Sequence, residues 1–291
     1  TNYQSSLILK IIAEKNPILL DKFINTMVDN LENSKSYIRR EIQEILAIVA
    51  TQHPKLVAEQ IEKIAATLKD DDFITRRATL TTLETLAKTE PALMANHVKS
   101  IIKASNDDSF DVQVVALKIL AIIVRKNPEL YEEYIKVIVD KLNYRKESDD
   151  TWSFFVQEAA IKALDTIAQE HPELIIPYLK NIIPKIDHKY PLVQVAVLEI
   201  LNTLAKKKPQ LVCNYMELIG KKLDGTFKKE VNLAALHVFE TVVETEPQVL
   251  SKHIESIINT GALASNILDF IRKKETQFFN SHVKGITETL N

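Results

Sequence analysis

Seven prolines recur at a nearly constant spacing along the 291 residues, and this period constrains the fold more than any other feature. The first four are each 37 residues apart, and the later intervals are 44, 37 and 38 residues. The seven are Pro17, Pro54, Pro91, Pro128, Pro172, Pro209 and Pro247. A fixed period of this length is typical of repeat architectures, in which each repeat is one supersecondary unit. The interval of 44 is one period with seven residues inserted.

Apolar residues fall into register when the chain is aligned on these prolines. The position seven residues after each proline is always apolar: Ile24, Ile61, Val98, Ile135, Leu179, Met216 and Ile254. So is the position five residues before it: Ile12, Val49, Leu86, Ile123, Ile167, Leu204 and Val242. The pattern predicts an amphipathic helix after each proline, helix A, and another before the next one, helix B. Proline ends one helix and begins the next.

Glycine is nearly absent, with 4 residues in 291, all after position 219. Phosphate-binding loops need glycine where the backbone approaches the ligand, so dinucleotide, Walker-type and kinase loops are excluded. The 7 histidines and the lone Cys213 have no metal-binding or nucleophile spacing. We therefore predict no enzymatic activity, no cofactor and no metal.

The charge of the chain is balanced, with 37 basic and 39 acidic side chains spread along its length. No basic domain indicates nucleic-acid binding, and no apolar run reaches the roughly 20 residues that span a bilayer. The single cysteine favours a reducing compartment. The sequence thus predicts no membrane span and a cytoplasmic location.

The turn between helices A and B carries the residues of a family resemblance. An acid stands in most turns, at Asp70, Asp107, Asp187 and Asp224. Helix B then begins with a pair such as Ile38-Arg39 or Thr75-Arg76, where later repeats have Gln or Asn in place of Arg. These units resemble HEAT repeats and, more finely, adaptin-type trunks.

The HEAT resemblance implies an all-α fold, a right-handed α-solenoid of about seven HEAT-like helix pairs. The resemblance covers about residues 1–275, and we predict that residues 1–291 form a single solenoid with 276–291 as a C-terminal capping segment. The resemblance also implies a hydrogen-bonded ladder between the turn acid and the arginine of neighbouring repeats, which would be neutral where Gln or Asn replaces Arg.

Four arginines at equivalent positions of adjacent repeats form the first candidate site: Arg39, Arg40, Arg76 and Arg77. A cluster of guanidinium groups suits phosphates or acidic peptides. The competing interpretation makes Arg39 and Arg76 ladder residues, with only Arg40 and Arg77 directed outward.

An aromatic residue recurs once per repeat just before helix B, and this aromatic ridge is the second candidate. Its members are Tyr37, Phe73, Phe110, Trp152, Tyr190 and Phe227. The ridge resembles the edge by which tubulin-binding HEAT arrays hold a partner, but for the set as a whole the favoured interpretation is that each ring covers its own turn, with Trp152 the best exception. The inserted segment 143–151 contains Tyr144, Arg145 and Lys146 and ends beside Trp152, so we predict protein binding there.

The predicted function is a non-catalytic protein-binding scaffold or adaptor, because stacked helix pairs present a long surface to an extended partner. Its partners would be one or more proteins or peptide segments, and it could act as a subunit of a larger complex, such as an enzyme's regulatory subunit. The alternative is a nucleic-acid-binding HEAT module that clamps phosphates with Arg39, Arg40, Arg76 and Arg77. The net charge of −2 disfavours that alternative.

Overall fold

The computed structural model describes residues 3–33, 35–128, 131–145, 152–223 and 228–259. All regular elements in these ranges are helical, and none of them is a strand. The chain divides into two compact units, Thr1–His171 and Pro172–Asn291, so the boundary falls at one of the seven periodic prolines.

The first unit consists of long helices that alternate with short ones. In chain order they are α1 (Tyr3–Lys15), α2 (Asp21–Asn33), α3 (Ser36–Gln52), α4 (Pro54–Ala58), α5 (Ile61–Ala66), α6 (Phe73–Thr89), α7 (Val98–Ala104), α8 (Phe110–Lys126), α9 (Tyr131–Asp140) and α10 (Ser153–Ala168). Turns of 3₁₀ helix connect several of them, at Pro17–Leu20, Thr67–Lys69, Pro91–His97 and Lys141–Asn143.

The second unit repeats this alternation. Its described helices are α11 (Pro172–Ile175), α12 (Leu179–Ile182), α13 (Pro191–Lys207), α14 (Pro209–Cys213), α15 (Met216–Gly220), α16 (Lys229–Val243) and α17 (Ile254–Asn259). The 3₁₀ turns of this unit are Ile176–Tyr178, Ile183–Asp187, Lys221–Leu223 and Pro247–Lys252.

Helices A and B differ in continuity, and proline explains part of the difference. Each periodic proline begins a helical segment, where its missing N–H group is not needed. Helix B of each described repeat is one unbroken helix of 15 to 17 residues. Helix A is interrupted by 3₁₀ turns. Two of these turns contain an internal proline near their start, Pro177 and Pro184.

The B helices stack on one another and form the core. In the first unit α3 packs on α6, α6 on α8 and α8 on α10, and in the second α13 packs on α16. Because α8 is covered from both sides, its side chains are apolar almost all round, and Leu117, Ile119 and Leu120 are completely buried. Full burial of such a side chain stabilises a fold by about 1.5–3 kcal/mol.

The all-α fold of HEAT-like helix pairs is confirmed, and so are the helix junctions at the prolines. No helix in the described part of the chain combines the length and the apolar character needed to cross a membrane. Segment 276–291, predicted as a cap, lies outside the described residues. That the two units form a single solenoid stays a prediction.

Candidate functional site

Two bidentate ion pairs connect the start of one helix B to the turn of the next repeat. Arg39 Nε and Nη2 donate to the Asp70 carboxylate at 2.5 and 2.8 Å. Arg76 Nε and Nη2 donate to the Asp107 carboxylate at 2.7 Å each. Each carboxylate also accepts the backbone N–H two residues later in its own turn. The arginines therefore hold adjacent repeats in register, as the HEAT resemblance implied.

Later repeats have neutral side chains at the arginine position, and their bonds run to their own turn except for one from Gln113 to the next repeat. Gln113 Nε2 donates to the Asp107 carbonyl at 2.6 Å and to Tyr144 Oη at 3.0 Å. Gln157 Nε2 donates to the Tyr144 carbonyl at 2.8 Å, and Asn232 Nδ2 makes the same kind of bond to a carbonyl of its own turn. Amide side chains thus replace the charged ladder with bonds to the backbone of the turn.

Two buried lysines add cross-repeat contacts that the sequence did not reveal. Lys222 is 2% exposed, and its Nζ donates to Asp187 Oδ1 at 2.6 Å. Lys141 Nζ donates to Asn106 Oδ1 at 2.9 Å. Burial lowers the pKa of Lys141, because the interior disfavours its charged form.

The ladder accounts for half of the predicted arginine cluster. Arg39 and Arg76 are fully engaged with Asp70 and Asp107, so they are ladder residues. Arg40 Nη2 lies 3.9 Å from Glu41 Oε1, a loose ion pair, and Arg77 is exposed. Only Arg40 and Arg77 are thus available to a phosphate or a partner.

The Arg39–Asp70 pair is expected to make stability depend on pH in the acid range. Burial alone would raise the pKa of Asp70, but hydrogen bonds from Arg39 and the Asp72 amide outweigh it, so the pKa lies below its usual 3.8. A lowered carboxyl pKa stabilises the fold above the unfolded value and loses that contribution as pH falls through the folded value.

Chemical denaturation of wild type and Asp70→Asn from pH 7 to pH 2.5 checks this expectation. The difference in the free energy of unfolding should be greatest at neutral pH and should narrow below about pH 4. If the free-energy difference between wild type and Asp70→Asn stays constant down to pH 2.5, the pKa of Asp70 is not lowered by its contacts in the fold.

An aromatic cluster lies where helix α10 begins, beside the inserted segment. Trp152 stacks on Phe110 and on Phe155, with ring centroids 5.8 Å apart in both pairs and interplanar angles of 10° and 12°. Phe154 lies 4.1 Å from Phe155, centroid to centroid. Despite these contacts Trp152 is 48% exposed. The ring is therefore held in place by its neighbours and still faces solvent, as interface anchors do.

A groove of about 460 Å³ lies beside this cluster, and we call it the edge groove. Its lining comes from three successive turns of the first unit and includes three aromatic side chains of the ridge, Phe73, Phe110 and Trp152, together with Tyr144. Four charged residues, Asp71, Arg76, Asp108 and Asp111, and two serines, Ser109 and Ser153, complete the lining. The ridge residues of adjacent repeats thus contribute to one concave surface.

The structure brings together two of the predicted site residues and separates others. Tyr144 and Trp152 both line the edge groove. Arg145 is exposed in the same turn but is not part of the lining. Lys146 lies outside the described residues, and Arg40 and Arg77 lie on helices α3 and α6, away from the groove lining.

A second groove, of about 570 Å³, lies among helices α6, α8 and α10. Four of its charged side chains already form two ion pairs, Lys88 with Glu84 and Lys162 with Glu158, each at 2.7 Å. Two further basic residues, Lys118 and Arg125, also line the second groove, so it is basic where the edge groove is acidic.

Metal-binding side chains and the single cysteine are further candidates for a chemical site in the part of the chain that the structure describes. No cluster of three or more His, Cys, Asp or Glu side chains could hold a metal ion there. Burial raises the pKa of the Cys213 thiol, which disfavours the reactive thiolate.

Comparison with known proteins gives one partial family match and many structural matches. A family model described as non-SMC mitotic condensation complex subunit 1 matches residues 38–156. No curated protein is significantly similar in sequence.

Solved structures of karyopherins and importins superpose on most of the chain. A structure of the Kap95:Nup1 complex matches with a TM-score of 0.68 and 13% identity, over 87% of this chain and 34% of the other. Importin beta matches with a TM-score of 0.67 and 14% identity, over 83% and 34%. Kap121p bound to RanGTP matches with a TM-score of 0.57 and 16% identity, over 84% and 28%. The chain therefore spans about a third or less of these proteins.

Identities this low show the fold alone, and the fold agrees with the proline-phased helix pairs and with the arginine–aspartate ladder. The chain is a HEAT-repeat α-solenoid.

Proposed function

We propose that the chain is a non-catalytic protein-binding scaffold or adaptor whose partner contact centres on Trp152 and the edge groove. The observation that carries the proposal is the exposure of Trp152 within a rigid aromatic cluster. Interface hot spots are enriched in tryptophan, and an aromatic ring that is already ordered loses little entropy when a partner covers it. Covering the exposed part of the ring with a partner would add the free energy of apolar burial to binding.

The names of the similar proteins support a role in protein assemblies. The family model describes a complex subunit, and the solved structures include a karyopherin bound to RanGTP and the Kap95:Nup1 complex. We therefore extend the proposal to a subunit of a larger complex. The cytoplasmic location favoured by the single cysteine stays a prediction. Its partners would be proteins or peptide segments.

Nucleic-acid binding through the arginine cluster receives less support. Arg39 and Arg76 are engaged with Asp70 and Asp107, which leaves two of the four arginines for phosphates. Since each phosphate contact contributes separately to affinity, two cations give only weak, salt-sensitive binding.

Affinity capture from a native extract tests the proposal, with three versions of the chain as bait. Trp152→Ala removes the anchor, and Tyr37→Ala is the matched control, because Tyr37 belongs to the ridge, is 46% exposed and does not line the edge groove. We expect proteins that are retained by wild type and by Tyr37→Ala but lost from Trp152→Ala. Equal retention by all three baits would contradict a partner contact at Trp152.

A further inference from the structure

The charge and the rings of the edge groove specify the partner more closely. We infer that the groove receives a basic side chain, lysine or arginine, from a segment of the partner protein. This inference rests on the proposed function and adds the chemistry of the contact. It follows from the carboxylates in the lining, from the exposed surface of Trp152, and from the lysines that lie over two tyrosine rings of the chain.

Carboxylates outnumber cations in the lining. Asp71 and Asp108 are exposed, and Asp111 is half-buried in the first turn of α8. The one cation, Arg76, is matched by Asp107, and its Nη1 donates to the backbone carbonyls of residues 70 and 71 at 2.7 and 3.0 Å. The groove is thus locally negative, although the whole chain carries a formal charge of only −2.

The aromatic rings of the groove favour the same ligand. The face of an aromatic ring is negative, and tryptophan attracts a cation most strongly. Trp152 keeps about half of its surface accessible while Phe110 and Phe155 fix its plane. No lysine or arginine within the described ranges lies over the Trp152 ring.

Other rings of the turns already have such a cation. Tyr190 holds the ridge position of the second unit, and Lys189 Nζ lies 4.9 Å from its ring centroid. Tyr144 has Lys141 Nζ at 5.0 Å from its ring centroid. The chain therefore supplies a cation of its own over these two tyrosine rings. At Trp152, beside the carboxylates of Asp71 and Asp111, the corresponding cation comes from the partner.

Other side chains fit the groove less well. An acidic side chain would meet the carboxylates of Asp71, Asp108 and Asp111 at short range, and like charges brought together at an interface are costly. An apolar side chain would cover the rings but remove water from the carboxylates without replacing it. A lysine or arginine suits both the rings and the carboxylates, because its aliphatic stem covers apolar surface and its charged end reaches the carboxylates.

The fluorescence emission of Trp152 provides the test, since this is the only tryptophan of the chain. Wild type is titrated with capped seven-residue Gly/Ser peptides whose central residue is arginine, lysine, norleucine or glutamate. Arginine and lysine peptides should change the emission saturably, with dissociation constants about tenfold lower than that of the norleucine peptide. The glutamate peptide should produce no saturable change.

Charge variants then localise the effect. Asp111→Asn and Asp71→Asn should each raise the dissociation constant of the arginine peptide about threefold or more, because a charge-assisted contact is lost. Glu59→Gln is the control, since Glu59 is an exposed acid that does not line the groove. Melting temperatures of all variants confirm that they fold.

Three results would overturn the inference: norleucine binding as tightly as arginine, no saturable change with either basic peptide, or equal weakening by Glu59→Gln. The proposed function is tested separately from this inference, because it is contradicted only if protein capture does not depend on Trp152. If capture depends on Trp152 while the basic peptides do not bind, the scaffold stands and the basic ligand is wrong.

Discussion

Replacing Arg76 with alanine is expected to lower the free energy of unfolding by about 3 kcal/mol, the usual cost of leaving one partner of a buried ion pair behind. The side chains of Arg76 and Asp107 are only 15% and 12% exposed, so water compensates poorly for the lost contact. The guanidinium also bonds two backbone carbonyls of its own turn. The change thus removes contacts within one repeat and between two.

Urea denaturation of three variants measures this effect. Arg77→Ala is the neighbouring control and should change the free energy of unfolding by less than about 0.5 kcal/mol, since Arg77 is exposed. Arg76→Gln should recover part of the loss, because Gln113 and Gln157 bond turn carbonyls from equivalent positions. An Arg76→Ala protein as stable as Arg77→Ala would show that the ladder does not hold the repeats together.

Replacing Trp152 with alanine is expected to weaken partner binding by more than about 2 kcal/mol, or roughly thirtyfold in the dissociation constant. The effect on stability should be smaller, about 0.5–1.5 kcal/mol, because the ring is half exposed and loses mainly its stacking on Phe110 and Phe155.

Affinity and melting temperature must both be measured for this variant, with the purified partner. The alternative makes Trp152 a local cover for its own turn, as Phe73 and Phe110 could be. A melting temperature lowered by many degrees together with unchanged affinity would support that alternative and refute the anchor.

The helical repeats and the ladder could be predicted because both depend on short-range spacing. Proline fixes the helix junctions through its own backbone restriction, so Pro17, Pro54 and Pro91 mark them without further information. Arg39 and Arg76 occupy the same place in consecutive repeats, and identical units stack with identical contacts. The exchange of Arg for Gln in later repeats indicated neutral side chains there, but not that Gln113 and Gln157 would bond to carbonyls of their own turns.

Other features depend on contacts between repeats and escaped the sequence analysis. The packing of α8 against α10 brings Phe110 of one repeat to Trp152 and Phe155 of the next, which are only three residues apart in the chain. Lys141 and Lys222 each lie 13 residues after a periodic proline, and this repeated lysine was an available signal. Their burial could not be inferred, because charged side chains at helix ends usually lie in solvent.

The most direct test of a docking surface at the edge groove is site-specific photo-crosslinking in a native extract. A photoreactive amino acid replaces Ser109, which lines the edge groove, or Thr166, which lines the second groove among α6, α8 and α10. We predict that position 109 crosslinks a defined protein, that the yield falls sharply when Trp152→Ala is added, and that position 166 gives little product. Crosslinking of that protein from position 166 but not from position 109 would contradict the account.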